Sequence, residues 1–516
     1  MIDSLKCIID LANRAYQSIR LCFIKKAQKP VFVASLFALA TLFTFATFAT
    51  LPTNKSYAAE IELPLLGDSS SSIISKNQEY TLGKTWLQAF RSRVSQYDDP
   101  LLQQYMEQLL YDLVTHSDLN DTRLTLVIVN NPTMNAFAVP GGIIGFHTGI
   151  FSFAKNEDQM VSILAHELAH LSQRHFARGI ESRRNTSVVS LAGLLATLVL
   201  TATAGGDAGL AAMTATQAYA LEEQLRYSRG NEQEADRLGL KTMIRAGRDP
   251  NAVAEMFESL LKASRYNSNR MPEFLLTHPV TERRIADSRA RTFRIQERHY
   301  PDNPEFYLLQ ARALVAIQAD PKQSVAYFKQ LLASNTQQKQ AAEYGLALAF
   351  LAQKDFDSAR KLLENLSKAQ PNSLPFLYSS IEVDIAEQRY KQALTTLNKQ
   401  LALNQNNYPL LTLKAEALWG DHRYDEAAIT LNQLRKQRPE DPHIWYKLAE
   451  VRGLAGDISG VHEARAEYFI LVGALDRARR QLGLAAKLVE ADFKRHSVVK
   501  QRLRDISKMQ ERLERL

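Results

Sequence analysis

The chain has 516 residues, too many for one hydrophobic core, so two to four domains are expected at roughly 150 residues each. Hydrophobic residues make up 46% and charged residues 23% of the sequence, which excludes a largely disordered or collagen-like chain. The formal charge is +8, but residues 1–58 hold seven Lys/Arg against two Asp, leaving 56 basic and 53 acidic residues in the rest. No basic stripe with interleaved aromatic residues stands out, which argues against nucleic acid as a partner.

The first 58 residues have the pattern of a secretory signal peptide. Lysines precede an uncharged apolar run over 31–51, and the segment ends in the small-x-small sequence Ser56-Tyr57-Ala58. An uncleaved anchor is the alternative, because the run is long enough to span a bilayer. Either way the rest of the chain lies in an exported compartment. Both cysteines, Cys7 and Cys22, precede the run, so stability there depends on cores or a metal.

A linker and a helical region follow. Residues 59–80 contain four consecutive serines and little periodicity, which predicts a linker. From Trp86 to about Thr115, apolar residues recur at helical spacing. Residues 124–129 are typical of a strand, and a Pro-Gly-Gly turn within 137–146 predicts a small β hairpin. Further helices are expected over 156–175, 230–246 and 252–263.

Residues 186–206 carry no charge, which meets the length test for a transmembrane segment. Their Thr, Ala and Gly content is high and Asp207 follows directly. A buried or membrane-touching helical hairpin is therefore favoured over a span. A span would make the protein an integral membrane protein.

Beyond residue 302 the sequence repeats every 34 residues. The matching positions are aromatic at 356, 390 and 424, alanine at 359, 393 and 427, and leucine at 363, 397 and 431. This period, with small residues at fixed offsets and a closing proline, is typical of the tetratricopeptide repeat. A generic helical bundle is the alternative, and agreement at several offsets disfavours it. The sequence predicts a repeat α-solenoid over 301–490 that binds partners, and a C-terminal helix over 491–516.

A metal-binding motif lies within the predicted helix 156–175. His166-Glu167-Leu168-Ala169-His170 is H-E-x-x-H, and its two histidines share one helical face, where one Zn²⁺ could bind both. Glu167 would then lie beside the metal, where it could take a proton from water. A solvated helix with two ordinary histidines is the alternative. His175 is expected at the surface, about 180° around this helix, and His147 is expected to be structural.

A third ligand is expected from a catalytic zinc site. Glu232 lies on the small, apolar stripe of the helix predicted to begin near residue 230, whereas Glu234 points toward water. A buried carboxylate needs a partner, which a metal would supply. Asp236, one turn further, could orient a zinc-binding histidine. The alternative for Glu232 is a first-turn acid favoured by the helix dipole.

With these motifs the chain resembles the zinc metallopeptidase family of the HtpX and prenyl-protein (CAAX) endopeptidase type. The resemblance rests on H-E-x-x-H, on the helical E-x-x-A-D at 232–236, and on Asn135-Ala136-Phe137-Ala138 before Pro-Gly-Gly. It covers nearly all of residues 75–490, and the order of leader, protease and repeats is specific to an exported branch of the family. It implies one zinc ion per chain on His166, His170 and Glu232, with Glu167 as catalytic acid/base. It also implies Asp236 as a proton donor.

The resulting fold class is mainly α. An α-rich zincin (gluzincin) domain with a small β hairpin, over 81–300, is followed by the tetratricopeptide solenoid. The resemblance implies a periplasmic endopeptidase with outer-membrane β-barrel proteins and their assembly machinery as partners, in cleavage and in a chaperone-like role. Peripheral membrane contact remains open. The alternative function is a tetratricopeptide scaffold or holdase with little proteolysis.

Two further roles are expected near the site. Residues 136–139, at the edge of the hairpin, are expected to pair with extended substrate, with Asn135, Ala136 and Phe137 as contacts; an ordinary buried strand is the alternative. His278 stands before a proline and could occupy the open zinc position. A loop-ordering histidine is the alternative. Arg283, which follows it, is expected to contact substrate or pair with a carboxylate.

Overall fold

The computed structural model describes residues 75–94, 96–182, 215–266, 273–295, 298–334 and 336–514, with side chains omitted at 180–182 and 215–228. These residues belong to one compact unit, which spans 66–516. The predicted signal peptide and the uncharged segment 186–206 lie outside the described residues. Among the helices described, none is both long and apolar enough to cross a membrane.

The first part of the chain surrounds a small sheet. Its helices are α1 Lys76–Arg91, α2 Pro100–His116, α3 Glu157–Ser172, α4 His175–Ser182, α5 Ala215–Arg245, α6 Asn251–Tyr266, α7 Glu273–Thr277 and α8 Glu282–Thr292. Helix α1 begins at Lys76, because Ser75 and Gln78 form a capping box. The predicted linker over 59–80 is therefore wrong at its last five residues.

The sheet contains β1 Thr125–Val129, β2 Ala136–Val139 and β3 Ile143–His147 in the order β1-β3-β2. Strands β2 and β3 form the predicted antiparallel hairpin, and β1 is parallel to β3. Gly141 and Gly142 have φ of 82° and 81° in the hairpin turn, a conformation that glycine adopts without a Cβ clash. Alternate side chains of the sheet pack against α1 on one face and join the core around α2 and α3 on the other.

Antiparallel helix pairs form the second part. The helices are α9 Pro304–Ile317, α10 Pro321–Ala333, α11 Lys339–Ala352, α12 Phe356–Ala369, α13 Leu374–Ala386, α14 Tyr390–Leu403, α15 Tyr408–Gly420, α16 Tyr424–Gln437, α17 Pro442–Leu454, α18 Ile458–Leu471, α19 Leu475–Leu488 and α20 Phe493–Glu514. The repeated alanines at 359, 393 and 427 are fully buried, which confirms their predicted role in close helix packing.

The repeat helices pack directly onto the first part. Arg438 stacks on Tyr408 and forms a bidentate ion pair with Glu107 of α2. The Lys447 ammonium lies 3.0 Å from Asp98, and the Gln88 side chain donates to the Ile470 carbonyl at 2.9 Å. Part of the repeat surface is therefore occupied within the same molecule.

Candidate metal centre

Helix α3 presents His166 and His170 side by side. Asn156 caps the helix by accepting from the Gln159 amide, and two acids occupy its first turn. The helix is buried along nearly its whole length, so its histidines face the protein interior rather than water. Their Nε2 atoms lie 3.0 Å apart, which agrees with the predicted shared face.

Helix α5 brings Glu232 to these two nitrogens. Its carboxylate oxygens lie 3.3 Å from His166 Nε2 and 3.4 Å from His170 Nε2, and the residue is 4% exposed. The helix begins at Ala215 rather than near residue 230, so Glu232 is far from the first turn. This position excludes the helix-dipole explanation of the acid.

Close packing of α5 on α3 depends on Gly239. A Cβ at that position would lie 3.2 Å from the Ala165 backbone, next to His166. The Glu232 carboxylate is held ionised: burial raises its pKa, but the neighbouring histidines His278, His166 and His170 together bring the pKa well below the usual value.

His278 lies in the same cluster. Its Nδ1 is 3.0 Å from Glu232 Oε1 and 3.4 Å from His166 Nε2, and its ring stacks on Phe274. One donor atom from each of His166, His170, Glu232 and His278 lies within 4.8 Å of every other. Two imidazoles, a third imidazole and a carboxylate form a donor set that suits Zn²⁺.

Glu167 is fully buried beside the four donors. Its Oε1 lies 3.7 Å from His278 Nε2, and neither carboxylate oxygen has a hydrogen-bond partner among the described residues. Burial raises the pKa of Glu167, and His278, His166 and the Ala138 backbone only partly offset that rise. A buried carboxylate with free oxygens and a raised pKa suits proton transfer.

Asp236 supports His166 from the side away from the donor cluster. Its Oδ1 lies 3.0 Å from His166 Nδ1, the geometry expected of an orienting acceptor. Burial raises the Asp236 pKa, but His166 and Arg284 outweigh burial and lower it overall. Burial lowers the pKa of His166, yet Asp236 and Glu232 outweigh burial and raise it overall.

The arginine in the site is Arg284, which the sequence analysis missed. Its guanidinium binds both oxygens of Asp236 at 2.7 and 2.6 Å and lies 3.0 Å from Glu232. Arg283, the residue named from the sequence, is exposed on α8. A signal was available, because Arg284, Ser288 and Thr292 are spaced by four and form the buried stripe of that helix.

The expectation that His175 is a surface residue is wrong. Helix α3 ends at Ser172 and Arg174 adopts φ 50°, so the helical wheel no longer applies at His175. His175 is buried, with its Nδ1 2.8 Å from His170 Nδ1 and its Nε2 3.2 Å from Glu234. Burial lowers the pKa of His170 to about 3 and that of His175 to about 4. Glu234, expected in water, is instead an ion-pair partner of Arg178 and His175.

The hairpin residues named as substrate contacts lie along edge strand β2. Asn135 and Ala136 are buried, whereas the Phe137 ring packs against Trp86 and Phe90 of α1. Backbone groups of β2, rather than these side chains, therefore face the site. His147 on β3 is buried and its Nδ1 lies 3.1 Å from the Thr133 hydroxyl, which agrees with a structural role.

Comparisons with known proteins match both parts of the chain. The model of peptidase family M48 matches residues 100–292, and that of the tetratricopeptide repeat matches 316–376 and 384–451. The β-barrel assembly-enhancing protease of Escherichia coli (strain K12) is 32% identical over 87% of this chain and 92% of its own. The putative β-barrel assembly-enhancing protease of Vibrio cholerae is 36% identical over 61% of this chain and 65% of its own. The mitochondrial metalloendopeptidase OMA1 of Schizosaccharomyces pombe is 32% identical over 38% of this chain and 57% of its own.

Proposed function

The chain belongs to the family of β-barrel assembly-enhancing proteases, and from this membership we propose that it is a periplasmic, zinc-dependent endopeptidase that degrades misassembled outer-membrane β-barrel proteins and assists their assembly. Its peptidase family M48 domain makes it a metallopeptidase. The observation that carries the proposal is the buried cluster of three imidazoles and one carboxylate, with the unpaired Glu167 beside it.

In this proposal His166, His170 and Glu232 hold the zinc ion, which supplies a Lewis acid for the scissile carbonyl and water. Glu167 takes a proton from the attacking water at a carboxylate oxygen and later delivers it to the leaving amine. Asp236 fixes the His166 ring, and Arg284 holds the Asp236 and Glu232 carboxylates in place. This geometry favours an orienting role for Asp236 over proton delivery to substrate.

Replacing Glu167 with glutamine tests the chemistry. The Glu167→Gln variant should keep zinc and fold, since the amide is isosteric with the acid, yet lose peptide-bond cleavage by more than about 100-fold. Zinc content by metal analysis and cleavage of an unfolded β-barrel protein are measured on the same sample. Undiminished proteolysis would overturn the mechanism. A wild-type protein that suppresses aggregation but cleaves nothing would favour the holdase alternative.

His278 is proposed as a regulatory fourth ligand. Its distance of 3.0 Å from Glu232 supports this role, because a nitrogen in that position competes with water for the metal. His278→Ala should retain zinc and raise basal proteolysis, including self-cleavage. A variant that is only less stable or less active would instead support the loop-ordering role.

Strand β2 is proposed to pair with extended substrate. It is an edge of the described sheet, and its Ala138 backbone approaches Glu167 closely enough to influence that carboxylate. Backbone pairing there would place a peptide beside the donor cluster. Ala138→Pro should depress cleavage far more than zinc content, and equal loss of both would indicate misfolding. Arg283, exposed on α8, is proposed as an outer substrate contact, so Arg283→Ala should weaken substrate binding without loss of zinc.

The repeat part is proposed to bind β-barrel proteins and their assembly machinery. Tetratricopeptide repeats bind other proteins, and the name of the relatives indicates β-barrel assembly. Fractionation of cells by osmotic shock tests the location, since a periplasmic protein is released with the shock fluid. Crosslinking of residues on the repeat helices, followed by mass spectrometry, identifies the partners.

A further inference from the structure

His175 and Glu234 form a hydrogen-bonded chain behind His170. Starting at the donor cluster, His170 turns its Nε2 toward Glu232 and its Nδ1 toward His175 Nδ1, 2.8 Å away. His175 Nε2 lies 3.2 Å from Glu234 Oε2, and Arg178 donates to the same oxygen at 2.9 Å. His175 is buried, so no solvent competes strongly for these contacts.

The protons of this chain have only one arrangement that permits metal binding. Two ring nitrogens at 2.8 Å form a hydrogen bond only when one carries hydrogen and the other does not. A metal-binding Nε2 must be bare, so neutral His170 carries its hydrogen on Nδ1 and donates it to His175. His175 then carries its own hydrogen on Nε2 and donates it to Glu234. Arg178 holds the Glu234 carboxylate as the terminal acceptor.

We propose that His175 and Glu234 are positioning residues that lock His170 in the tautomer and ring orientation required to bind the metal. His166 receives equivalent support from Asp236, so each histidine of the motif has its own acceptor. The opposite arrangement, with His175 donating to His170 Nδ1, would leave hydrogen on His170 Nε2 and block the site. This proposal rests on the zinc site proposed above.

Zinc affinity of the full chain tests it, measured by competition with a chromophoric chelator. His175→Phe keeps the ring volume but cannot accept, so zinc should bind 10- to 100-fold more weakly, the usual effect of losing such support. His175→Asn offers an oxygen where Nδ1 stood and should recover most of the affinity. Glu234→Gln should stay near wild type, whereas Glu234→Leu should weaken zinc by an intermediate factor. His147→Phe, at another buried histidine, is the matched control and should bind zinc normally.

The free energy of unfolding of the zinc-free variants separates positioning from simple structural support. The proposal requires His175→Phe and His175→Asn to differ in zinc affinity at similar zinc-free stability. It is overturned if His175→Phe binds zinc within about threefold of wild type, or if His175→Asn binds as weakly as His175→Phe. If His175→Phe does not fold, the contrast between Glu234→Gln and Glu234→Leu decides in the same way. Wild-type protein that binds no zinc would instead overturn the proposed function itself.

Discussion

Arg312 of α9 joins the two parts of the chain through one buried guanidinium, and replacing it with methionine should destabilise the protein strongly. The guanidinium pairs with Asp99, the N-cap of α2, and binds Glu382 of α13 at 2.6 and 2.9 Å. It also donates to the Ser379 hydroxyl at 3.1 Å. Methionine keeps the unbranched apolar stem but removes the charge and every donor.

The expected loss follows from what the substitution leaves behind. Asp99 has a side chain that is 3% exposed, so its carboxylate would remain buried without its cation. Removing one partner of a buried ion pair costs about 3–5 kcal/mol, mainly for that reason. Arg360 is the matched control in the repeats, because its pairs with Asp384 and Glu387 are more exposed. Arg360→Met should cost about 1 kcal/mol.

Urea unfolding followed by circular dichroism at pH 7, with zinc present, measures both variants. Adding Asp99→Asn to Arg312→Met should recover part of the loss, since asparagine also caps a helix and carries no charge. A cost below about 1 kcal/mol for Arg312→Met, or one equal to that of Arg360→Met, would refute the argument that this contact stabilises the junction.

Further predictions concern glycine positions and a buried histidine. Gln388 has φ 62°, so Gln388→Gly should stabilise the protein by roughly 0.5–1 kcal/mol in thermal melts, whereas Lys399→Gly within α14 should cost about 1 kcal/mol. Gly239→Ala should weaken zinc binding by pushing α5 from α3, whereas Gly230→Ala, with open space around it on the same helix, should stabilise by about 0.5–1 kcal/mol and leave zinc affinity unchanged. Burial lowers the His147 pKa to about 4 from an unfolded value near 6.5, so the unfolded chain binds the extra proton between these values and stability falls as pH drops from 6.5 to 4. Unfolding of His147→Phe should lose about 2–3 kcal/mol of that pH dependence, and an unchanged slope would contradict it.

Periodic features of the sequence predicted most of the architecture. The 34-residue spacing located the repeat helices because small and apolar side chains at fixed offsets must pack in the same way in each repeat. The same spacing has a backbone counterpart that composition hides. Residues 354, 388, 422 and 456 all adopt positive φ at the turn within each repeat, but they are Lys, Gln, His and Gly. Only the last of these residue types signals a left-handed turn.

The donor cluster was predicted where helical geometry sufficed. His166 and His170 share a face by their spacing, and the apolar stripe around Glu232 indicated its burial. Prediction failed where a helix ended without a sequence signal, since neither Gly nor Pro marks the turn before His175. The confusion of Arg283 with Arg284 has a similar cause, because which of two neighbours turns inward depends on how α8 packs.

Helix α5 explains why three acids within five residues serve one site. Glu232 reaches the donor cluster directly, and Asp236, one turn further, reaches His166. Glu234 points to the opposite side of the helix, and an α3 that continued straight beyond Ser172 would leave that carboxylate in water. Instead the chain turns after α3 and returns as α4, which carries His175 to that side. The two histidines of α3 are thereby held from two sides of a single helix, so a displacement of α5 would disturb both histidines and the third ligand together.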